Sequence, residues 1–256
     1  MSTNDPYADI VALYDLEHDG FTDDIEFLVE LAGIGDGPIL ELGCGTGRVL
    51  IPLAEAGHKV AGIDSSEAML KAAQTRIDPE LDVKMVVGDM IDPAIVEGVP
   101  FGMVIASLNS IMHLTTPHEQ RSMIASAHMA LKPGGRLIID TLNPSMAQLG
   151  HLLNTTHLEG SWQTDDGTMV DKWGHRLAGE NPQIIDTLIW YDQTSSEGDY
   201  HRTRSRFDLR YLHQSELSLM LELAGFGHVD WYGSYELDPW DAFADRIIAV
   251  AHKDEE

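Results

Sequence analysis

Apolar and polar positions repeat with two different periods along the chain. Between residues 38 and 141, short apolar runs bounded by turn residues alternate with stretches whose apolar positions recur at helical spacing. This pattern predicts strands at 38–42, 59–63, 83–87, 101–107 and 136–141, with helices at 47–56, 66–76 and 118–131 between them. Such a series predicts an α/β fold with a mostly parallel sheet and helices on both faces. Upstream, Thr22 is placed to cap a helix from Asp23 to about Leu31, with acids in its first turn. Pro117 and Gly134 punctuate the start and end of the 118–131 helix.

From about 157 to 211 the period shortens to two, in β-branched and aromatic runs separated by Asp-Gly and Glu-Gly turn signals. This predicts an antiparallel insertion, in which Trp173 and Trp190 read as core and not as a cage. Helical spacing returns over Gln214 to Ala224, with Gly225 as its stop, and strands His228 to Tyr235 and Arg246 to Ala251 close the chain.

One junction carries chemistry. Ile39 to Arg48 reads as a buried strand running into a turn with glycines at 43, 45 and 47, and then into a helix. Glycines there let the backbone take positive φ and approach a ligand where a Cβ would collide. Asp64 ends the next strand, about twenty residues on, where a carboxylate can accept both hydroxyls of a ribose. A dinucleotide fingerprint would need glycine at position 48, which is Arg48.

Composition sets limits on this. With 42 acidic and 16 basic residues, a net of −26, the chain lacks the cationic surface that displaces phosphate counterions, so a nucleic-acid substrate is not expected. No apolar run reaches the roughly twenty residues of a membrane span, and the polar start Met1 to Asp5 lacks the parts of a signal peptide. These predict a cytoplasmic protein with no membrane partner. Cys44 is the sole cysteine and sits in the glycine turn as a small packing residue. The twelve histidines show no H-x-x-x-H spacing, so no metal site is expected.

The string Glu41-Leu42-Gly43-Cys44-Gly45-Thr46-Gly47 resembles the first motif of Rossmann-like methyltransferases that use S-adenosylmethionine, and three later segments fall in that family's order. These are Asp89 after the third strand, the fourth strand, and Leu131 to Asp140 with its Pro-Gly-Gly turn. The resemblance implies S-adenosyl-L-methionine as cofactor and a seven-stranded, mostly parallel sheet with an antiparallel last strand and a β-rich insertion after strand five. It implies cofactor contacts from Glu41, Gly43, Cys44, Gly45, Gly47, Asp64, Ser65, Met69, Asp89, Met90 and Leu108. In layout the chain is similar to the small-molecule N-methyltransferases, including amino-sugar N,N-dimethyltransferases and, more distantly, glycine N-methyltransferases. The single domain 1–256 then divides into an N-terminal helical lid at 1–34, a cofactor core at 35–145, a substrate cover at 151–211 and a closing segment at 212–256.

Methyl transfer is an in-line displacement, so the residues sought are positioners and at most one base. Asn109 and His113 follow strand four at the carboxyl edge of the sheet, where ligands bind. His113 is placed either to accept a proton near neutral pH or to touch the cofactor or a loop carbonyl. Tyr14 meets the acceptor, as the resemblance implies, or staples the surface. Asn143, Arg210 and Tyr211 are candidate acceptor contacts, with a structural ion pair as the other role for Arg210. The expected reaction is N-methylation of a small-molecule acceptor; O-methylation of a carboxylate or hydroxyl, and a non-catalytic cofactor-binding protein, are the alternatives. A homodimer is compatible with the chain.

Overall fold

The computed structural model describes residues 5–92, 100–181 and 183–255; the polar start at Met1–Asn4 lies outside them. Two helices, α1 (Val11–His18) and α2 (Asp23–Ile34), lead into β1 (Ile39–Leu42), α3 (Leu50–Glu55), β2 (Val60–Asp64), α4 (Glu67–Arg76), β3 (Val83–Val87) and β4 (Phe101–Ala106). A 3-10 turn (Ser110–His113), α5 (Pro117–Ala130), β5 (Leu131–Leu142) and α6 (Met146–Leu152) follow. Next come β6 (Thr155–Gln163), β7 (Met169–Ala178), β8 (Ile184–Thr194) and β9 (Tyr200–Arg210), then α7 (Gln214–Ala224), β10 (His228–Tyr232) and β11 (Arg246–His252). Seven strands form one sheet in the order β10-β11-β5-β4-β1-β2-β3, in which β11 alone runs antiparallel to its neighbours. Its central strands read as continuous apolar runs because helices cover both faces: α5 and α7 pack on one, α2, α3 and α4 on the other.

Several boundaries move for identifiable reasons. The helix expected at 47–56 begins only at Leu50, because Gly43, Gly45 and Gly47 all hold positive φ and keep the turn open. Thr22 does not cap α2 with its side chain. Thr116 does cap α5, in a reciprocal pair with Glu119. Gly134 does not stop that helix; the chain is already extended at Leu131, and Gly134, at φ 71°, lies inside β5 beside a register shift against β4. The strand expected to reach Tyr235 ends at Tyr232, where the Gly233 N–H turns to donate to the Asp238 carbonyl.

The insertion is a separate four-stranded antiparallel sheet, β6-β7-β8-β9. Its inner face buries Val170, Ile189 and Tyr191 against Ile10, which precedes α1. Trp173 and Trp190 stack on the opposite face, 6.2 Å apart and nearly parallel. They are half-buried there, not core, because their strand positions alternate with the inner ones.

Arg48 explains why this turn is not a dinucleotide turn. Its guanidinium makes a two-pronged ion pair with Asp24 of α2 and donates to the Phe21 carbonyl at 2.8 Å, with both charged groups buried. The pair fastens α2 to the start of α3. Asp24→Ala leaves Arg48 buried and half-partnered, and it should cost about 3–5 kcal/mol in denaturant unfolding. A loss below about 1 kcal/mol would show the pair to be solvent-screened.

Candidate active site

The turn after β1 is shaped by a carboxylate from the next strand. Asp64 accepts from the Gly45 N–H through one oxygen and from the Ser66 N–H through the other, both at 2.8 Å. Burial pushes its carboxyl up, and those two amide bonds oppose the shift. A Cβ on Gly43 would lie 2.9 Å from the Ser110 hydroxyl, so that position is closed to any side chain. A Cβ on Gly45, at φ 53°, would meet nothing within 4 Å: it would project into the cavity itself. Gly47 is a correction. It faces Ala73 and Ile51 and not the cavity, so its positive φ serves the turn and the packing of α3 on α4. Cys44 packs its sulfur over Gly62, and burial pushes its thiol well above the usual range.

The edge beyond β4 is held in an unusual conformation. Leu108 and Asn109 are consecutive non-glycine residues in the left-handed region, at φ 43° and 69°. Asp140 of β5 fixes them: its side chain accepts from the Leu108 N–H at 3.1 Å and its carbonyl from the Asn109 N–H at 3.0 Å. The Asn109 amide oxygen is itself engaged by the Leu142 N–H at 2.7 Å, so this side chain braces the two strands. The bend delivers His113, whose Nε2 lies 3.0 Å from the Tyr7 hydroxyl. Burial drives the His113 imidazole down to about 4, which corrects the expectation of a base near neutral pH. The phenol of Tyr7 moves the other way, well up, through burial and through Tyr14, Asp64, Glu17 and Asp5 around it.

These elements enclose a cavity of about 540 Å³. The glycine turn, Asp64, Ser65, Met69, Asp89, Met90 and Leu108 form its floor, and Tyr7, Tyr14, Asn109 and His113 stand across from them. The inner face of the insertion supplies Lys172, Arg176, Thr187, Ile189, Phe207 and Leu209. The period-two pattern marks those positions as one face, but pattern alone does not say what that face meets. Asp5, Tyr7 and His18 also escaped the sequence reading; Tyr7 stands seven residues before Tyr14, and that spacing was the available signal. Three candidate acceptor contacts lie elsewhere. Asn143 donates to the Ala244 carbonyl at 2.7 Å, tying β5 to the segment before β11. Arg210 is buried among Gln120, Gln183 and Glu216 and takes the structural role, and Tyr211 is partly buried against the main core beside it.

Behind the glycine turn is a pocket of about 30 Å³, bounded by Glu41, Arg48, Ser107 and Tyr14 among others. Glu41 accepts from the Ser107 hydroxyl at 3.3 Å through one oxygen; the other is buried without a hydrogen-bond partner among the described residues. Burial raises its carboxyl to about 8 despite the nearby Arg48. An orphaned carboxylate oxygen, an open Gly45 and an acid-lined floor fit a ligand with a cationic amine and a vicinal diol, as S-adenosylmethionine has. Glu41, Gly45 and Asp64 are the residues that would hold it. Because the folded pKa lies above the ordinary 4.5, the folded protein keeps a proton that the unfolded chain releases, so stability falls as pH rises from about 4.5 to 8. Glu41→Gln should therefore stabilise the protein relative to wild type most above pH 8 and least below 4.5. Thermal unfolding across that range checks the sign; a gap that does not change with pH would contradict it.

Sequence comparison agrees with this geometry. Residues 39–135 match the family described as a methyltransferase domain. Cypemycin N-terminal methyltransferase of a Streptomyces species is 28% identical over 218 residues, 84% of this chain and 82% of that protein. Ubiquinone biosynthesis O-methyltransferase of Maricaulis maris is 32% identical over 108 residues, and there the chain spans only 40% of the relative's length. The CcbJ methyltransferase of Streptomyces caelestis superposes with a TM-score of 0.78 at 27% identity, over 97% of this chain and 98% of that one. Residues 39–135 thus form a methyltransferase domain, the chain has the fold of the Rossmann-like, S-adenosylmethionine-dependent methyltransferases, and S-adenosylmethionine is its cofactor.

Proposed function

We propose that the protein methylates an amine on a small acceptor enclosed between the glycine turn, α1 and the insertion sheet. The observation that carries this is the charge of the lining: Asp5, Asp64 and Asp89 face the cavity with the tyrosines Tyr7 and Tyr14, while the cations there, Lys172 and Arg176, are already paired with Glu17 and Glu159. The bound cofactor supplies a methyl group on a sulfonium, already activated toward a nucleophile. As an amine accepts it, positive charge passes to nitrogen, and a wall of carboxylates and phenol oxygens favours that charge. A carboxylate acceptor would bring a negative charge to the same wall. A hydroxyl acceptor would need a base, and an imidazole at about 4 is a weak one.

His113 thus acts here as a positioner. Hydrogen-bonded to the Tyr7 hydroxyl, it fixes the direction of that phenol, leaving the oxygen able to accept from the acceptor's N–H. The similarity to the cypemycin N-terminal methyltransferase over most of both chains supports nitrogen as the acceptor atom. The O-methyltransferase relative is the reason to test oxygen acceptors beside it.

Labelled cofactor with a mixed library of small amines, hydroxyls and carboxylates tests the reading. A methylated amine is the expected product; methylation of oxygen acceptors alone would overturn it. In the same assay, Tyr7→Phe and His113→Ala should reduce turnover about tenfold or more with little change in affinity for S-adenosylhomocysteine, and His113→Ala should not move the acid limb of the pH profile. Asp64→Ala should do the reverse, weakening cofactor affinity at least tenfold through loss of hydrogen bonds to the ribose worth about 1.5–3 kcal/mol each. It should also lower the melting temperature, because Asp64 ties down Gly45 and Ser66.

A further inference from the structure

Lys172 stands on the inner face of the insertion sheet, almost fully buried, and its ammonium donates to one carboxylate oxygen of Glu17 on α1. The same ammonium lies 3.2 Å from Glu159 of β6, which also pairs with Arg176. The other oxygen of Glu17 accepts from the Tyr191 hydroxyl at 2.9 Å, so both end on the insertion. On its far side, α1 is tied to the cofactor half of the molecule: Arg76 of α4 lies 3.0 Å from Asp15 and 2.9 Å from Asp19, and the Thr46 hydroxyl donates to Asp15. Apolar anchoring of this helix is slight. None of its own residues is fully buried; Ile10 just before it is, and Leu13 and Leu16 pack partly against the same cluster.

We propose that Lys172 is a positioning residue that holds α1 across the cavity and so sets the placement of Tyr14 and His18, whose rings stack 4.0 Å apart on its inner side. Two carboxylates meet one ammonium in a desolvated place, so its charge is needed. Without it, Glu17 and Glu159 face each other with Arg176 as the remaining nearby cation, and repulsion across a poorly screened gap pushes α1 off the sheet. Arg176 cannot replace it, since it reaches Glu159 and makes no hydrogen bond or ion pair with Glu17 among those of the described residues. The inference rests on the reading that α1 faces the acceptor, but its geometry is independent of which acceptor is used.

Amide hydrogen exchange on the full chain without ligand tests it, comparing wild type, Lys172→Met, Glu17→Gln and, as a control for an exposed pair on the sheet's outer face, Arg202→Met. Exchange within residues 7–19 should accelerate at least tenfold in Lys172→Met and less in Glu17→Gln, while β4 and β5 stay as protected as in wild type; Arg202→Met should match wild type throughout. S-adenosylhomocysteine should also dissociate faster from Lys172→Met. If Lys172→Met loosens the whole molecule, Glu17→Gln decides. Unchanged exchange in 7–19 in Glu17→Gln, or in both variants, would overturn the proposal. Because the exchange is read without ligand, a protein that methylates only oxygen acceptors would contradict the proposed function and leave this result standing.

Discussion

The contact on which the site depends is the pair of amide hydrogen bonds received by Asp64. One holds Gly45 at the open end of the glycine turn, the other holds Ser66 at the start of α4, whose hydroxyl in turn caps that helix at Met69. A single carboxylate therefore joins the ends of β1 and β2 and the start of α4. It can do this because Gly45 has no side chain in the way, and because the carboxylate retains acceptor sites after its two amide bonds. Asp140 performs the corresponding task on the other side of the sheet. It forces two consecutive left-handed residues after β4, and the strain they carry is matched by three hydrogen bonds and an ion pair to Arg246.

Between those two edges the cavity is closed by elements that stabilise each other and not the sheet. The N-terminal segment has little core of its own. It reaches across the opening with one buried isoleucine and a row of charged groups, meeting the insertion on one side and α4 on the other. Such a roof is ordered largely by polar contacts at its edges, so its local stability rests on a few ion pairs and not on a deep core. Burial also shifts the titration of the groups on and beneath it, raising Glu41, Tyr7 and Tyr14 and lowering His113 and His18.

The α/β core was legible in the sequence because its signals are local. Buried parallel strands are apolar runs, and the turn after β1 needs glycines whatever lies around it. The chemistry of the roof was less so. His113 was found by its place after a strand, but its weak basicity depends on burial by Tyr7 and Phe207, which come from opposite ends of the chain. Arg210 and Asn143 look in sequence like any polar residue near a site; only the positions of Glu216 and Ala244 show that they are structural. For Lys172 the alternation marked only the face it shares with Val170, since nothing in a strand's period names the glutamate it will meet.

The most direct test of this account is a crystal structure with S-adenosylhomocysteine. The ribose should lie on Asp64, the amine should approach Glu41, and the sulfur should face a closed chamber bounded by Tyr7, Tyr14, His113 and the insertion sheet. A sulfur that opens to bulk solvent across a flat surface, with α1 and the insertion packed elsewhere, would contradict it.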